Sequence, residues 1–292
     1  MRPLDGVLLL DKPVGPSSSA VLQAVKRLLE AKKAGHAGTL DPLASGLLPL
    51  LFGEATKFAQ YGLDAVKEYR ALVQLGAATD TGDAEGQVTE RMPVSVGAGD
   101  LEPALARFRG EIEQVPPMFS ALKRDGQPLY ALARSGKTVE RAPRKVTIYE
   151  LELIERIGEQ LDLRVRCSKG TYVRQLAADL GLALGTFGHL AALRRTAVAG
   201  FRIEQAIALD DLQALGPEAR KTWLLPPDRL LEDLPRQDLD EDRASRFLHG
   251  QAVAVDAEAG RWRVYAGGAL LGVGETGAEG LKPVRLLAQK TL

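Results

Sequence analysis

The order of strand-like and helix-like segments limits the fold of this chain more than any other feature of its sequence. Gly6–Leu10 is a short apolar strand, after which Ser17 or Ser18 caps an amphipathic helix. Farther along, the alternating segments Lys145–Glu155 and Gln160–Cys167 form a strand pair with no helix between them. Because strands and helices do not alternate strictly, a doubly wound parallel sheet does not fit. The pattern predicts an α+β fold with a largely antiparallel mixed sheet flanked by helices.

A stretch rich in proline and acidic residues, 225–242, predicts a linker between two parts of the chain. The length of 292 residues suits one large domain and one small domain. After the stretch, short strands separated by glycine turns predict a small all-β barrel. We therefore expect a first domain at residues 1–228 and a second at residues 236–292.

The charge of the chain is segregated, although its 38 basic and 38 acidic side chains give no formal net charge. Residues 119–145 hold seven basic and two acidic side chains, a local balance of +5. A zero net charge by itself argues against a nucleic-acid partner, because such affinity comes from neutralised phosphates. A local basic segment could supply those contacts, and an ordinary solvated surface would explain it equally well.

Neither a cofactor nor a metal ion is expected. The sequence contains no G-x-x-x-x-G-K-[ST] and no G-x-G-x-x-G that opens a helix. Three separated histidines and the single Cys167, which lies in a buried-strand pattern, do not suit a zinc site. No apolar run approaches ~18 residues, and no signal-peptide pattern precedes the first strand. We therefore expect a cytoplasmic protein that contacts no membrane.

Three stretches contain residues that could carry chemistry. The glycine-rich loop at residues 35–46 frames His36 and Asp41, although an Asp-Pro turn with a surface histidine would read the same way. Before a second helix, Thr171 is expected to act as the cap, and Arg174 leaves the first turn near the positive end of the helix dipole. A neighbouring carboxylate would offset that electrostatic cost. Tyr69 begins a strand, where an aromatic side chain more often belongs to the core.

These stretches lie in motifs that resemble the bacterial tRNA pseudouridine-55 synthases of the TruB family. The matching motifs follow the family's order over most of residues 6–205; they are Gly6–Pro13, Gly35–Gly46, Gly53–Phe58, Tyr69–Arg70, Thr79–Thr81, Pro117–Lys123, Ser168–Arg174 and Leu193–Arg195. The tail, through Gly272–Glu275 and Lys282–Arg285, is similar to the PUA-like RNA-binding domain of many members. Ala37 departs from the residues usual at its position. Each motif alone is weak, whereas so many in one order form a specific pattern.

The resemblance implies a pseudouridine-synthase core that isomerises uridine to pseudouridine at position 55 in the T loop of tRNA, without a cofactor. It implies that Asp41 is the catalytic carboxylate, that Arg174 is its partner, and that Tyr69 stacks on the target base and assists the proton change at C5. The carboxylate would either attack C1′ or remove a proton from C2′, and the sequence leaves both open. Because the target uridine is stacked in folded RNA, it must be flipped out.

The same resemblance assigns further residues to substrate binding. His36 would fill the space that the flipped bases leave, Tyr172 would contact the substrate, and Leu193 would pack around the base. Lys12 would support the site or a phosphate. The segment 119–145 aligns with the family's insertion, which would close over the T arm. The phosphate contacts are expected from Lys123, Arg124, Arg141 and Arg144.

The expected partner is the T arm of tRNA, and the chain is expected to act as a monomer without an obligatory protein partner. Two alternatives stay open. The chain could bind or fold tRNA without catalysis, although Asp41 stands in an otherwise complete set of motifs. It could also be the guide-RNA-dependent synthase subunit of archaea and eukaryotes, which shares the core motifs. That subunit lacks an insertion of the 119–145 type, so we favour a stand-alone enzyme.

Overall fold

The computed structural model describes residues 4–288 except residues 121, 125 and 138, and it gives only the backbone of residues 123, 124, 128, 130, 131 and 134. In chain order the strands are β1 (Gly6–Lys12), β2 (Ala34–His36), β3 (Ala44–Phe52), β4 (Lys67–Leu75), β5 (Ala77–Thr79), β6 (Val88–Arg91), β7 (Gly110–Gln114), β8 (Lys123–Arg124), β9 (Gln127–Pro128), β10 (Arg144–Ile157), β11 (Gln160–Cys167), β12 (Gly188–Val198), β13 (Phe201–Arg202), β14 (Ile207–Ala208), β15 (Leu224–Leu225), β16 (Arg236–Asp238), β17 (Gly260–Ala266), β18 (Ala269–Gly277) and β19 (Gly280–Leu286). The helices are α1 (Ser18–Leu28), α2 (Ala59–Asp64), α3 (Ala98–Ala106), α4 (Leu129–Arg134), α5 (Val173–Ala183), α6 (Leu209–Ala214), α7 (Pro217–Lys221) and α8 (Glu241–Leu248). Short 3-10 segments are Gly53–Phe58, Ile203–Gln205 and Pro227–Leu231.

A large mixed sheet of eleven strands dominates the described fold. Its strands run in the order β14-β1-β3-β12-β4-β11-β10-β7, with β15 also on β1, β2 on β3 and β13 on β12. Among these pairings β1–β14 and β3–β12 are parallel, and the others are antiparallel. The predicted largely antiparallel mixed sheet is confirmed. The β3–β12 pair places Ala44 beside Leu193 and Gly46 beside Arg195, and so joins two motifs that are distant in sequence.

Helices cover the sheet through two hydrophobic clusters. Strand β11 alternates strictly between buried and half-buried residues, and its buried face packs against Leu176 and Leu180 of α5. Helix α1 packs Val21 and Val25 against β1 and β3. The backbone N of Ala20 donates to the side chain of Ser17 at 3.2 Å, which confirms a serine cap for this helix. The sheet is thus flanked by helices, as the pattern predicts.

A second, smaller sheet follows in the order β16-β17-β18-β19. Its first pair is parallel and the other two are antiparallel, while a single bridge joins Val253 to Leu281. Phe247 of α8 is buried in the core of this unit. The small β unit expected from the sequence is therefore present, but as an open sheet of four strands packed on helix α8 rather than as an all-β barrel.

The stretch 225–242, which its composition suggested as a linker, is packed against both sheets. Leu230 and Leu231 are buried, and their cluster includes Val273 of the second sheet and Phe58 of the first part. Most of the acids in this stretch are exposed, whereas the two leucines find apolar partners in both parts of the chain, so the stretch packs as well as connects.

Polar contacts also join the two sheets. The Nζ of Lys57 donates to the carbonyl of Leu286 at 2.9 Å, and the hydroxyl of Tyr265 donates to Oδ2 of Asp228 at 2.6 Å. Together with the shared apolar cluster, these bonds dock the second sheet on the larger part of the chain.

Candidate active site

The loop that carries Asp41 is held by contacts from other elements. The Ser18 hydroxyl accepts from the backbone N of Leu40 at 2.8 Å and donates to its carbonyl at 2.9 Å. Gly46 has a φ of +100°, and a side chain there would collide with the backbone of Arg195, so glycine permits the close approach of β3 and β12. The predicted loop at residues 35–46 is shorter in the structure, because its two ends belong to β2 and β3.

Arg174 reaches Asp41 from the first turn of α5. Its Nη2 lies 3.0 Å from Oδ2 of Asp41, and the arginine side chain is 7% exposed whereas that of Asp41 is 46% exposed. The guanidinium also donates to the carbonyls of Thr81 (3.1 Å) and Phe119 (2.7 Å). A fixed arginine therefore holds one side of the carboxylate and leaves the other side open to a substrate.

A second carboxylate, that of Asp83, also contacts the guanidinium of Arg174. Its side chain is 5% exposed, and Oδ2 lies 3.6 Å from Nε of Arg174. Oδ1 accepts from the hydroxyl of Thr81 (2.6 Å) and from the backbone N of Glu85 (3.1 Å). No role was predicted for Asp83, although it follows the Thr79–Thr81 motif by two residues. An acid within that glycine-containing loop was the available signal.

The loop around Asp83 is tied to the large sheet. The backbone N of Ala84 donates to the carbonyl of Leu190 in β12, and the backbone N of Leu190 donates to the carbonyl of Gly82, both at 3.0 Å. Asp41, Arg174 and Asp83 therefore form one chain of charges that three separate segments hold in place.

Tyr69 lies in β4 directly across from Arg195 of β12, and the guanidinium of Arg195 is close enough to interact with its hydroxyl. Burial raises the pKa of Tyr69, while the positive charge of Arg195 opposes that change. Arg195 is itself buried, and its Nε and Nη2 donate to the carbonyls of Leu47 (2.7 Å) and Gly38 (3.2 Å). No role was predicted for Arg195, although it closes the Leu193–Arg195 motif.

Leu193 lies two residues before Arg195 and faces the same region. It pairs with Ala44 of β3 on one side and with Ala71 of β4 on the other. Leu193 and Tyr69 each pack against both clusters that hold α1 and α5. An apolar surface therefore lies beside the charged groups, as a base-binding site requires.

Lys12 is fully buried at the end of β1. Its Nζ donates to the carbonyls of Pro13 (2.8 Å) and Ala44 (2.7 Å). Burial lowers the pKa of Lys12 to about 8, against the opposing effect of the nearby Asp41 and Glu85 carboxylates. The ammonium group is thus close enough to interact with Asp41, and it also holds the backbone just after the Asp41 loop.

His36 is half-buried in β2. Its Nδ1 is buried and has no hydrogen-bond partner in the part of the chain that the structure describes. Burial, reinforced by the charge of Arg195, lowers the pKa of His36, so the ring is neutral near pH 7. A neutral ring with a free nitrogen can both stack and hydrogen-bond.

Tyr172 occupies the N-cap position of α5, so the cap predicted at Thr171 is wrong. The Thr171 hydroxyl donates instead to the carbonyl of Ser168 at 3.0 Å. Gln114 fixes the backbone of Tyr172, accepting from its N at 3.0 Å. Burial raises the pKa of Tyr172, and the charge of Arg174 partly opposes that shift. The tyrosine therefore lies within electrostatic reach of the Asp41–Arg174 pair.

The basic segment 119–145 begins at this pair, since Arg174 donates to its first carbonyl. Arg141 donates to the carbonyl of Pro116 at 3.2 Å, and Arg144 is exposed at the start of β10. The side chains of Lys123 and Arg124 lie outside the part that the structure describes. The segment therefore adjoins the site, and the structure gives no contact between Arg141 and Asp41.

Two properties of the described residues bear on other kinds of site. Nowhere among residues 4–288, outside the gaps, do three or more His, Cys, Asp or Glu side chains gather in a way that could hold a metal ion. Of the helices given above, none is both long and apolar enough to cross a membrane.

Comparison with known proteins places this site in a family. Three family models match in succession: the N-terminal domain of TruB family pseudouridylate synthase at residues 26–173, the tRNA pseudouridylate synthase B C-terminal domain at residues 174–232, and the C-terminal part of pseudouridine synthase II TruB at residues 235–287. A tRNA pseudouridine synthase B of Azoarcus sp. strain BH72 is 53% identical over 99% of this chain and 97% of its own length. Another, of Aromatoleum aromaticum, is 55% identical over 98% of this chain and 94% of its own.

Solved structures agree with these matches. A Cbf5-Nop10-Gar1 complex contains a chain with a TM-score of 0.72 and 29% identity, covering 98% of this chain and 84% of that one. An H/ACA ribonucleoprotein bound to a substrate RNA containing 2′-deoxyuridine contains a chain with a TM-score of 0.74 and 25% identity, covering 98% and 86%. Since both the models and the relatives span nearly the whole length, the chain belongs to the TruB family of pseudouridylate synthases.

Proposed function

We propose that this protein isomerises uridine to pseudouridine at position 55 in the T loop of tRNA, acting alone and without a cofactor. The observation that carries the proposal is the 3.0 Å pair of a half-exposed Asp41 with a buried Arg174. Relatives that are 53–55% identical over almost the full chain are named tRNA pseudouridine synthase B, which supports tRNA as the substrate.

Asp41 supplies the reactive carboxylate. The guanidinium of Arg174 holds one carboxylate oxygen and directs the other into the open side of the site. That oxygen either attacks C1′ of the ribose or removes a proton from C2′. In both routes the C1′–N1 bond breaks and the uracil leaves with the bonding electron pair. After rotation, C5 bonds to C1′. In the first route the bond between Asp41 and C1′ breaks in that step, and in the second Asp41 returns the proton to C2′. The C5 proton is then lost and N1 gains a proton, so atoms and charge balance.

The residues around the pair receive the flipped nucleotide. Tyr69 stacks on the base and assists the proton change at C5, Leu193 packs beside it, and Tyr172 contacts the substrate. His36 fills the space that the flipped bases leave in the RNA, a role that its neutral ring and free nitrogen support. Lys12 stabilises the Asp41 loop through its hydrogen bond to the carbonyl of Ala44.

We assign tRNA binding to two further parts of the chain. The basic segment 119–145 closes over the T arm, with phosphate contacts from Lys123, Arg124, Arg141 and Arg144. Residues 236–292 form a PUA-like RNA-binding domain beside a catalytic domain at residues 1–228. The separate sheet and core of the tail support this division. The proposal includes a monomer that works in the cytoplasm without a protein partner.

A guide-RNA-dependent subunit is the second candidate, because chains of Cbf5-containing complexes share the fold. The chain of the Cbf5-Nop10-Gar1 complex is 29% identical, about half the identity of the tRNA pseudouridine synthase B relatives, which favours the stand-alone enzyme.

Incubation with one unmodified tRNA transcript, followed by mapping of pseudouridine, tests the proposal. We expect conversion at position 55 without any guide RNA. Asp41→Asn should abolish conversion by many orders of magnitude and leave tRNA affinity within a few-fold, because the amide is neither a nucleophile nor a base. Residual turnover above about one per cent would contradict the role of Asp41. Conversion that needs a guide RNA would favour the second candidate.

A further inference from the structure

Arg195 is a buried cation whose described partners are all uncharged. The residue is 1% exposed, its hydrogen bonds go to the carbonyls of Leu47 and Gly38, and Tyr69 is its neighbour on the adjacent strand. Removing a guanidinium from water without a carboxylate partner is costly. Arg174 differs, since it has two carboxylates beside it. The fold therefore maintains an uncompensated positive charge under the candidate site.

The field of this charge reaches the groups around the reacting base. Burial is the main cause of the lowered pKa values of His36 and Lys12, and the charge of Arg195 adds to both; it also opposes the burial-induced rise in the pKa of Tyr69. Each effect has the sign expected for a nearby positive charge that little solvent screens. Negative charge that develops on a base stacked on Tyr69 would meet the same field.

We propose that Arg195 is a positioning residue that fixes Tyr69 beneath the target base and stabilises, through its charge, the uracil anion released when the glycosidic bond breaks. This inference rests on the proposed function. When C1′–N1 breaks, the bonding pair goes to the uracil, and the negative charge spreads over N1, O2 and O4. The carboxylate route and the C2′ route both pass through this departure, so the role of Arg195 is the same in either.

A purely structural role predicts something different. Holding two backbone carbonyls and a tyrosine hydroxyl requires donors but no net charge, and a neutral amide could satisfy part of that need. An electrostatic role requires the charge itself. One unit charge at ~6–10 Å in a medium of effective dielectric ~20 changes a rate by roughly 10- to 100-fold. The two roles therefore separate in variants that keep either the donors or the charge.

The experiment compares Arg195→Gln, which keeps donors, with Arg195→Lys, which keeps the charge. Each is assayed in single turnover at saturating enzyme on tRNA with one uridine or one 5-fluorouridine at the target position. Loss of the N-linked nucleotide is followed by nuclease digestion and mass spectrometry. Fluorine withdraws electrons and makes the uracil a better leaving group, so cleavage of that substrate depends less on an external charge. Arg220→Gln is the matched control, because Arg220 also donates to three backbone carbonyls, those of Leu212, Leu28 and Gln213.

For Arg195→Gln we expect a loss of roughly 10- to 100-fold with uridine and a clearly smaller loss with 5-fluorouridine. The cleavage rate of Arg195→Lys should stay within about tenfold of the wild-type rate, and its ratio of rates on the two substrates should equal that of the wild type. The control should change neither rate nor ratio. Equal losses on both substrates for Arg195→Gln would overturn the electrostatic role.

The lysine variant keeps the inference testable if Arg195→Gln does not fold, which a thermal unfolding measurement would show. In that case a folded Arg195→Lys protein that loses more than a hundredfold on both substrates overturns it. A wild-type protein that forms no pseudouridine in tRNA would refute the proposed function, and this inference with it. An active wild type with unaltered ratios refutes the inference alone.

Discussion

Replacement of Arg174 tests the charge arrangement most directly, because one guanidinium serves three segments. It contacts Asp41 at 3.0 Å and Asp83 at 3.6 Å, and it donates to the carbonyls of Thr81 and Phe119. Arg174→Ala removes all of these interactions. Arg174→Lys keeps the charge, but a single ammonium group lacks the planar fork that reaches several acceptors at once.

The expected magnitudes follow from burial. Arg174→Ala leaves the Asp83 carboxylate, 5% exposed, without its cation, and breaking a buried pair in this way costs about 3–5 kcal/mol of unfolding free energy. Since Thr81 and Glu85 still donate to Asp83, we expect a value near 3 kcal/mol. Loss of the bond that orients Asp41, worth about 1.5–3 kcal/mol, together with the misplaced loop, should slow turnover by roughly a thousandfold.

The assays are urea unfolding and single-turnover conversion of tRNA at saturating enzyme. Arg166→Ala is the matched control, because Arg166 forms an exposed pair with Glu150, and such pairs contribute only ~0–1 kcal/mol. Asp83→Asn combined with Arg174→Ala should restore part of the lost stability, since no buried charge is then left unpaired. Full activity in Arg174→Lys, or wild-type stability in Arg174→Ala, would refute this reasoning.

Three other perturbations address RNA binding, burial and the tail. The affinity for tRNA should fall with added salt. Neutralising Lys123, Arg124, Arg141 and Arg144 together should reduce the slope of log affinity against log salt concentration by roughly 0.7 to 0.9 for each phosphate contact that is lost. An unchanged slope would mean that these side chains form a solvated surface. Because burial lowers the pKa of Lys12 to about 8 from 10.5, the folded state binds fewer protons than the unfolded state between these values, and unfolding free energy should rise with pH there by up to ~1.4 kcal/mol per unit. Lys12→Met should make that rise shallower in urea unfolding measurements at pH 7.5–10, and the remainder is expected from Lys67, because burial lowers its pKa to about 8 as well; parallel curves for the two proteins would contradict this. A chain that ends at Pro235 should keep its turnover at saturating tRNA but bind tRNA more weakly. Its stability should be lower, because Leu230 and Leu231 no longer pack with Val273. A folded fragment without turnover would mean that the tail contributes to the site.

Several features of this protein follow from local sequence alone. Alternation of apolar and polar residues predicts β11, whose buried face matches it residue by residue, and the serine before α1 caps that helix as expected. Such features depend on the two-residue period of a strand and on bonds within one helical turn. The charge imbalance of residues 119–145 is likewise readable from composition.

The tertiary structure decided which charged residues are buried and which of them meet. Asp83 and Arg195 look like ordinary surface residues in the sequence, because charged side chains are usually exposed. They are buried because the β3–β12 and β4–β12 pairings and the loop on β12 bring their partners from distant segments. The cap predicted at Thr171 was wrong because Tyr172 takes the N-cap position, and residues 225–242 pack against both sheets through Leu230 and Leu231. Local preference is worth a few tenths to one kcal/mol, whereas burial of apolar side chains and pairing of buried charges are worth several.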